Sequence, residues 1–373
     1  MKSKPSIVLS FLILASLPSF AQGIHSENLV IVTLDGFRWQ ELFTGEDSSI
    51  LFNKEFTPDA SSISTFWNSD PYARRKRLLP FLWNVIADQG QVYGNRLYGN
   101  QVNCANPYWF SYPGYSEMLT GIVDKKMASN RKVENPNTNV LEYINNQKGY
   151  EGRVAAFSTW DVIPYVIRAS SNGIYTNSDK DIACLEMNKG DQKIADYPTG
   201  KRCDESTFYA AFEYLKIERP KVMFLSFDGT DDHSHGGRYG EYLIYANKAD
   251  KMISELWYWL QSQECYRDKT TLMITTDHGR GRGARGSWKT HGRWAAGSNQ
   301  MWMAVLGPDT PPLGEMKTNA HYFQKQIAKT AASFLNMDFV NGTKTGTIIK
   351  SMAYPLVESD KKDRLSAELT KEF

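Results

Sequence analysis

Short apolar runs alternate along the chain with segments of helical periodicity. Five runs lack the regular alternation of polar and apolar positions, as expected of strands that are buried on both faces. They lie at Leu29–Leu34, Arg153–Phe157, Val222–Phe227, Thr271–Thr276 and Met301–Leu306. Helical patterns lie between them, at Leu78–Asp88, Ser116–Thr120 and beyond, Val140–Asn146, Ser206–Ile217, Glu241–Gln261 and His321–Leu335. This order predicts an α/β fold, with a mostly parallel central sheet and helices on both faces.

No linker or internal repeat divides the chain after its N-terminus. We therefore predict one domain over residues 22–357, with a loop-rich insertion or lid at about 168–205 and a charged tail at 358–373. Aromatic residues make up 13% and hydrophobic residues 41% of the 373 positions, which is typical of a folded domain with a large core.

Residues 1–21 have the pattern of a secretory signal peptide. Two lysines precede an apolar run from Ile7 to Leu17, and the small residues Ser19 and Ala21 follow it. The run is too short to span a bilayer. We therefore expect cleavage after Ala21 and export to the periplasm or the medium.

Four cysteines follow the expected cleavage point, an even number in a chain predicted to be exported. They allow three disulfide connectivities, of which we favour Cys184 with Cys203 because these two are nearest in sequence. Cys104 and Cys265 are the others. No CxxC spacing occurs, so a zinc site built from thiolates is not predicted.

The charge balance limits the classes of partner. The chain has 43 basic and 41 acidic residues, a formal net charge of +2, and this gives no general reason to bind nucleic acid or an anionic membrane. Basic residues are nevertheless concentrated in one polar loop between residues 277 and 293, at Arg280, Arg282, Arg285, Lys289 and Arg293. Any anion-binding site is therefore expected to be local.

Polar side chains follow three of the predicted strands. Asp35 follows the first, the segment 228–235 (DGTDDHSH) follows the third, and Asp277 with His278 follows the fourth. Because parallel strands end at one edge of a sheet, where ligands gather in α/β folds, we expect these residues to meet.

Carboxylates and imidazoles that converge from distant segments are a ligand set that suits zinc. Asp231 and His235 have an i, i+4 spacing, which places both side chains on one side of a helical turn. His291 lies in the loop that follows His278. The sequence thus predicts a metal site.

Five motifs in order resemble the alkaline phosphatase superfamily, and within it the nucleotide pyrophosphatase/phosphodiesterase branch. They are VIVTLDGFRWQ, WFSYPGYSEMLTG, DGTDDHSHGGRYG, TTDHG, and THGRW ahead of MWMAVLGP, and they run from residue 29 to 308. The resemblance implies an alkaline-phosphatase-like fold and an exported hydrolase of phosphoric esters. It also implies two divalent metal ions as cofactors, with zinc favoured.

The resemblance assigns ligands to each ion. One ion would be held by Asp35, Asp277, His278 and the oxygen of the nucleophile. The other would be held by Asp231, His235 and His291, with His233 outside the ligand set and Asp228 as a possible substitute.

The nucleophile follows from the same resemblance. The branch has Thr or Ser directly before an aromatic residue and proline, and here Ser111 stands before Tyr112 and Pro113. Coordination to a dication would activate the hydroxyl for attack on phosphorus, through a phosphoseryl intermediate. The backbone N–H of Tyr112 and the side chain of Asn130 would support the phosphoryl oxygens.

The basic loop and nearby aromatic residues are the predicted substrate contacts. Arg280 and Arg282 could bind phosphate of a monoester, whereas Trp160 could stack on the second substituent of a diester, and both ester types stay open. Two other classes stay open as alternatives. One is a sulfatase or phosphonate ester hydrolase, although Tyr115 replaces the arginine of the sulfatase motif; the other is a non-enzymatic protein that binds polyanions. A small phosphorylated substrate is the expected partner, with no specific nucleic acid or membrane, and the oligomeric state is open.

Overall fold

A computed structural model describes residues 26–58, 65–178, 202–283 and 287–353. The predicted signal peptide and tail lie outside these residues, as do Cys184, Arg285 and most of the predicted insertion. The disulfide between Cys184 and Cys203 therefore stays a prediction. Cys104 is a buried free thiol, and Cys265 is an exposed one. Within the described residues, no helix is both long enough and apolar enough to cross a membrane.

Eleven strands form two sheets in the described residues. They are β1 Asn28–Leu34, β2 Gln91–Tyr93, β3 Asn100–Asn103, β4 Val154–Ser158, β5 Tyr175–Asn177, β6 Val222–Phe227, β7 Thr270–Thr275, β8 Gln300–Met301, β9 Met303–Leu306, β10 Gly314–Glu315 and β11 Ala320–Phe323. The main sheet has eight strands in the order β10-β2-β9-β7-β1-β6-β4-β5, and the small sheet has the order β11-β3-β8. The predicted α/β class is confirmed.

The centre of the main sheet is parallel. Strand β1 pairs with β6 on one side and with β7 on the other, with Leu34 opposite Phe227 and Thr33 opposite Thr275. All residues of these three strands are buried. The run LVIVTL contributes Val30, Val32 and Leu34 to the core on one face and Leu29 and Ile31 to the core on the other. Burial on both faces explains why these strands have no polar alternation.

Helices cover both faces of the sheet. They are α1 Trp39–Thr44, α2 Ser48–Leu51, α3 Pro71–Leu78, α4 Ser111–Thr120, α5 Val140–Asn145, α6 Ile163–Val166, α7 Ala169–Asn172, α8 Asp204–Glu218, α9 Gly229–His235, α10 Tyr239–Ser262 and α11 Ile327–Phe334. A π-helical segment, Leu82–Ile86, continues into the short helix Ala87–Gln89. It replaces the α-helix predicted from Leu78, because Leu78 ends α3 and Pro80 follows.

Three further predictions of element bounds are wrong. The helix predicted to run onward from Ser116 begins at Ser111 and ends at Thr120, because Gly121 adopts a left-handed φ of 70°. The strand predicted over 301–306 is divided at Trp302 between the two sheets. The helix predicted from His321 starts at Ile327, because Ala320–Phe323 pairs with β3.

A buried carboxyl group without a partner lies in the segment between α1 and α2. Glu46 is fully buried, and neither of its carboxylate oxygens has a hydrogen-bond partner among the described residues. Burial raises the pKa of Glu46 from 4.5 to about 7, against the opposing effect of Arg74 and Arg77. As the pH rises from 4.5 through 7, Glu46 loses its proton in the unfolded chain before it does so in the folded chain. The free energy of unfolding therefore falls across that window.

We therefore expect Glu46→Gln to stabilise the fold at pH 8 and to have little effect at pH 4.5. The amide keeps the shape of the protonated group, so the variant avoids the cost of ionisation. A rise in melting temperature of about 2 °C or more at pH 8 is expected, measured by calorimetry at both pH values. The exposed Glu264 provides the control, Glu264→Gln. An equal shift at both pH values would contradict the assignment.

Candidate active site

The residues that follow three central strands lie at one edge of the sheet. Asp35 comes directly after β1, Asp228 after β6, and Asp277 with His278 closely follow β7. The backbone N–H of Asp35 donates to Phe227 O at 2.9 Å, which holds the ends of β1 and β6 in register. The expected meeting of these residues at the carboxyl edge is therefore observed.

Asp35, Asp277 and His278 form the first cluster. Their ligand atoms all lie within 4.8 Å of one another. His278 Nε2 is 3.4 Å from Asp35 Oδ1 and 3.4 Å from Asp277 Oδ2. All three side chains are fully or almost fully buried. The arrangement brings two carboxylates and one imidazole toward a common point.

The hydrogen bond at the other ring nitrogen fixes the tautomer of His278. His278 Nδ1 lies 2.8 Å from Gly279 O, and a carbonyl oxygen can only accept, so Nδ1 carries the proton. In the neutral ring the lone pair of Nε2 then faces the two carboxylates. A second hydrogen bond of this kind is what orients histidine ligands of metals.

Asp231, His235 and His291 form the second cluster. His235 Nε2 is 3.1 Å from Asp231 Oδ2 and 2.9 Å from His291 Nε2. His291 Nε2 is 3.7 Å from Asp231 Oδ1. Helix α9 thus presents Asp231 and His235 on one side, as their spacing predicts. His233 instead stacks on Tyr245, with ring centroids 4.3 Å apart, so the geometry favours His235 as the ligand.

Ser111 begins helix α4 and lies beside the first cluster. Its hydroxyl oxygen is 3.3 Å from His278 Nε2. Trp109, two residues earlier, adopts a left-handed φ of 55°, a strained conformation that is more common at functional turns than elsewhere. The positive end of the helix dipole also favours negative charge at this position.

Glu117 holds the turn before Ser111 in place. This buried carboxylate, two helical turns along α4, accepts from the backbone N–H of Ala105 and Asn106 at 2.7–3.0 Å. Asn106 Oδ1 in turn accepts from the N–H of Tyr108 and Trp109, at 3.0 Å each. The conformation that presents Ser111 is therefore fixed by side chains of its own helix and turn.

Two glycines allow the close approach of the clusters. A Cβ at Gly114 would lie 2.4 Å from Asp277 O, so any larger residue would push α4 away from the end of β7. Gly36 has a φ of +58°, and a Cβ there would lie 2.8 Å from Asp231 Oδ1. Its N–H donates to Asp277 Oδ1 at 3.0 Å.

The donor set fits two divalent metal ions, which the resemblance implies. Asp35 Oδ1 and Asp277 Oδ2 are buried and have no hydrogen-bond partner among the described residues. Burial and neighbouring carboxylates raise the pKa of both groups well above the usual range. A dication between them would supply the missing partner and offset the cost of burying their charges.

In the second cluster, the pKa values of Asp231 and His291 are shifted in the directions that metal binding requires. Burial alone would raise the pKa of Asp231. The charge of Arg280 and the hydrogen bond from His235 have the larger effect and hold the pKa of Asp231 well below its usual range. Burial, together with His278, lowers the pKa of His291 to about 2. An ionised carboxylate and a neutral imidazole are the forms that bind zinc.

Arg280, in the basic loop, contacts Asp231 of the second cluster. Its side chain is buried; Nη1 donates to Asp231 Oδ1, Nε donates to Trp288 O at 2.9 Å, and Nη2 donates to Lys289 O at 2.6 Å. The guanidinium therefore joins Asp231 to the backbone that leads to His291. The structure thus pairs Arg280 with the Asp231 carboxylate, and a direct contact with substrate stays a prediction.

We expect Arg280→Met to destabilise the metal-free protein more than the metal-loaded protein. Without Arg280, the buried charge of Asp231 loses its partner, at a cost of about 3 kcal/mol, whereas a bound metal ion would replace that partner. Melting temperatures of chelated and zinc-loaded samples at pH 7 measure the difference. Arg267→Gln, an exposed position ahead of β7, is the control. Equal losses in both samples would contradict this role of Arg280.

The predicted phosphate contacts Tyr112 and Asn130 lie together. The backbone N–H of Tyr112 donates to Asn130 Oδ1 at 2.9 Å, and Asn130 is exposed. Trp160 is half-buried and lies farther along the sheet edge, with its ring centroid 6.2 Å from that of Tyr115. Asn130 thus lies beside Tyr112, the residue that follows Ser111, and Trp160 lies beside Tyr115.

Arg282 lies at a cavity of about 410 Å³ that His291 of the second cluster also lines. The cavity is lined by Arg282, Ser287, Thr290, His291, Trp294, Ala295 and Ala296. Arg282 is exposed, in contrast to Arg280, so the arginines of the basic loop do not share one environment.

Tyr115 and Asp204 contribute to the site and were not predicted from the sequence. Tyr115 OH donates to Asp35 Oδ2 at 3.1 Å. Asp204 accepts from the backbone N–H of Asp228 and Gly229, at 2.8 and 2.9 Å, and so fixes the start of α9. Burial raises the pKa of Asp204 to about 6. Neither residue has a sequence signal of its own, because each acts through a neighbour that only the fold brings close.

Solved structures share this architecture. The chain is similar to the lipoteichoic acid synthase LtaP from Listeria monocytogenes, at 14% identity and a TM-score of 0.57 over 89% of this chain and 77% of that chain. It is also similar to alkaline phosphatase PafA, at 11% identity and a TM-score of 0.54 over 88% and 99% of the two chains. The phosphonate monoester hydrolase SpPMH from Silicibacter pomeroyi gives 11% identity and a TM-score of 0.54 over 87% and 76%. At these identities the likeness shows a common fold.

Fold and site together define a hydrolase of the alkaline phosphatase superfamily. The family model of type I phosphodiesterases and nucleotide pyrophosphatases matches residues 47–288. This match covers more than half of the chain, and the chain belongs to that family. The predicted resemblance is thereby confirmed. No curated protein matches the sequence.

Proposed function

We propose that this chain is an exported phosphoric ester hydrolase, a phosphodiesterase or a phosphatase, with Ser111 as its nucleophile. The observation that carries the proposal is the position of the Ser111 hydroxyl, 3.3 Å from His278 Nε2, at the side of two clusters of carboxylates and imidazoles. A lone serine hydroxyl is a weak nucleophile and needs such an environment.

Each cluster would hold one divalent ion, with zinc favoured. Asp35, Asp277, His278 and Ser111 would bind one, and Asp231, His235 and His291 the other. When bound there, such ions would supply positive charge that favours ionisation of the Ser111 hydroxyl and would stabilise charge on the departing oxygen.

The chain itself orients the reaction. The turn held by Glu117 and Asn106 presents Ser111 at the start of α4, and the helix dipole favours the developing negative charge. Asn130, whose Oδ1 accepts from the N–H of Tyr112, would support the phosphoryl group through its side-chain N–H. Attack by Ser111 forms the bond to phosphorus and breaks the bond to the leaving oxygen, and water then hydrolyses the phosphoseryl group.

A panel of four esters tests the proposal. We expect the zinc-loaded protein to hydrolyse at least one of p-nitrophenyl phosphate, bis-p-nitrophenyl phosphate and p-nitrophenyl phenylphosphonate faster than p-nitrophenyl sulfate. Preference for the diester or the phosphonate would make it a phosphodiesterase, and preference for the monoester a phosphatase. Sulfate as the best substrate, or no turnover of any ester, would overturn the proposal. Mass spectrometry of the Ser111 peptide checks that the serine is unmodified.

Export is the second part of the proposal and rests on the pattern of residues 1–21. Expression of the full chain in a Gram-negative host should yield a periplasmic protein whose N-terminus begins at Gln22. Retention in the cytoplasm with an intact N-terminus would contradict it.

A further inference from the structure

The cavity beside His291 is lined by an arginine and a tryptophan, Arg282 and Trp294, which the hydrolysis of a simple ester does not require. It opens next to the second cluster, since His291 both lines the cavity and faces Asp231 and His235. Ser111, by contrast, lies beside His278 of the first cluster. In an in-line displacement the leaving group departs on the side opposite the nucleophile. Attack by Ser111 beside the first cluster would turn the departing oxygen toward the second cluster, and the cavity adjoins that cluster through His291.

Arg282 supplies a positive charge to this cavity that the described residues do not neutralise. The side chain is exposed, no carboxylate pairs with it in the described part of the chain, and no acidic residue lines the cavity. An arginine that is not committed to the protein is available to a ligand. In this respect it differs from Arg280, which is bound to Asp231.

The charge of Arg282 also acts on a second guanidinium, that of Arg96. Burial, together with the charge of Arg282, lowers the pKa of Arg96 to about 10. The hydrogen bonds of Arg96 go to neutral acceptors, Gln101 Oε1 and Val102 O at 3.0 Å each and the side-chain oxygen of Asn103. Its Nε is buried without a partner in the described residues. Two neighbouring cations without a described acid repel one another, and an anion beside them would relieve that cost.

Trp294 provides an apolar surface at the same cavity. Its side chain is 92% exposed, the highest value among the large exposed hydrophobic residues in the described ranges. Exposed aromatic surface next to a cavity is typical of a ligand site. The segment that carries it also lies over the turn of the nucleophile, because the Arg293 guanidinium is 5.9 Å from the ring centroid of Tyr108.

We infer that this cavity binds the leaving group of the substrate and selects one that carries a second negative charge, held by Arg282, next to a flat apolar portion stacked on Trp294. The inference rests on the proposed function and narrows its substrate class. Carboxylate, sulfate and phosphate all carry the negative charge that a guanidinium binds, so the second group is an anion of this class.

A matched pair of substrates tests the inference. 3-Carboxy-4-nitrophenyl phosphate and its 3-methoxycarbonyl counterpart, the methyl ester of the ring carboxylate, differ in the second charge and by one methyl group; both are prepared as phosphate monoesters and as phenyl diesters. We expect Arg282→Gln to lower kcat/KM for the carboxylate by about tenfold, and to change it for the methyl ester by less than about twofold. The selective loss should diminish at high salt, where the charge is screened.

Arg267→Gln removes an exposed arginine at the opposite edge of the sheet and should leave kcat/KM for both substrates unchanged. Trp294→Ala should raise KM for both aromatic esters, since stacking does not depend on the second charge. An equal fall for both substrates in Arg282→Gln, or no fall for either, would overturn the subsite while leaving the hydrolase intact. Failure of the wild-type protein to hydrolyse any of these esters would instead overturn the proposed function, and the subsite with it.

Discussion

Ser111→Ala is expected to lower kcat/KM for the best phosphate ester by about a thousandfold or more. The Ser111 hydroxyl is the only nucleophile proposed for the first step, and alanine leaves the two clusters of carboxylates and imidazoles without an attacking group. Steady-state rates for wild type and variant measure the loss. A rapid quench after mixing with substrate should also trap a phosphoserine on the Ser111 peptide of the wild type, and none in the variant.

Ser116→Ala is the matched control for this result. Ser116 lies on the same helix and is also buried, but its hydroxyl accepts from Asn135 Nδ2 at 2.8 Å and is remote from the clusters. The control should retain activity within about tenfold. Full activity of Ser111→Ala, or equal losses in the two variants, would remove Ser111 from the proposed role.

Removal of metal ions by a chelator is expected to abolish hydrolysis and to lower the melting temperature. Asp35 and Asp277 are buried next to one another, and burial raises the pKa of each. Without a cation, a raised pKa in the folded state means that stability is lost as the pH rises above the unfolded value of 3.8. Bound ions remove that loss, so the difference between loaded and chelated protein should grow with pH.

Metal content by mass spectrometry and melting temperature at pH 5, 7 and 9 provide the measurement. Two ions per chain are expected before chelation, with activity restored when zinc is added back. Asp277→Asn is the informative control, because its neutral amide removes a buried charge but also a ligand. Its metal-free form should be at least as stable as the metal-free wild type, and zinc should stabilise it less. Zinc that stabilises both equally would contradict the assigned ligands.

The structure alters the interpretation of the basic loop. Its arginines have two different environments, because Arg280 is buried against Asp231 while Arg282 is exposed at the cavity. A polyanion-binding arm would need its charges accessible, and Arg280 is not. The sequence could not distinguish the two positions, since charge and glycine content are the same on either side of them.

The sequence by itself determined that the central strands are buried and mostly parallel, and which polar residues follow them. Unbroken apolar runs require burial on both faces, which only a sheet covered by helices provides, and acidic residues directly after such runs must lie at the carboxyl edge. The spacing of Asp231 and His235 likewise placed both on one side of α9. These features are local, so a pattern over a few residues is sufficient to predict them.

The tertiary structure alone decided the rest. Short strands such as β3 and β11 have too little apolar pattern to predict, and they form because a partner strand is supplied from far along the chain. The contacts of Tyr115 with Asp35, and of Arg280 with Asp231, join residues 49 or more positions apart. Such contacts depend on which elements pack together, and side-chain periodicity carries no information about that.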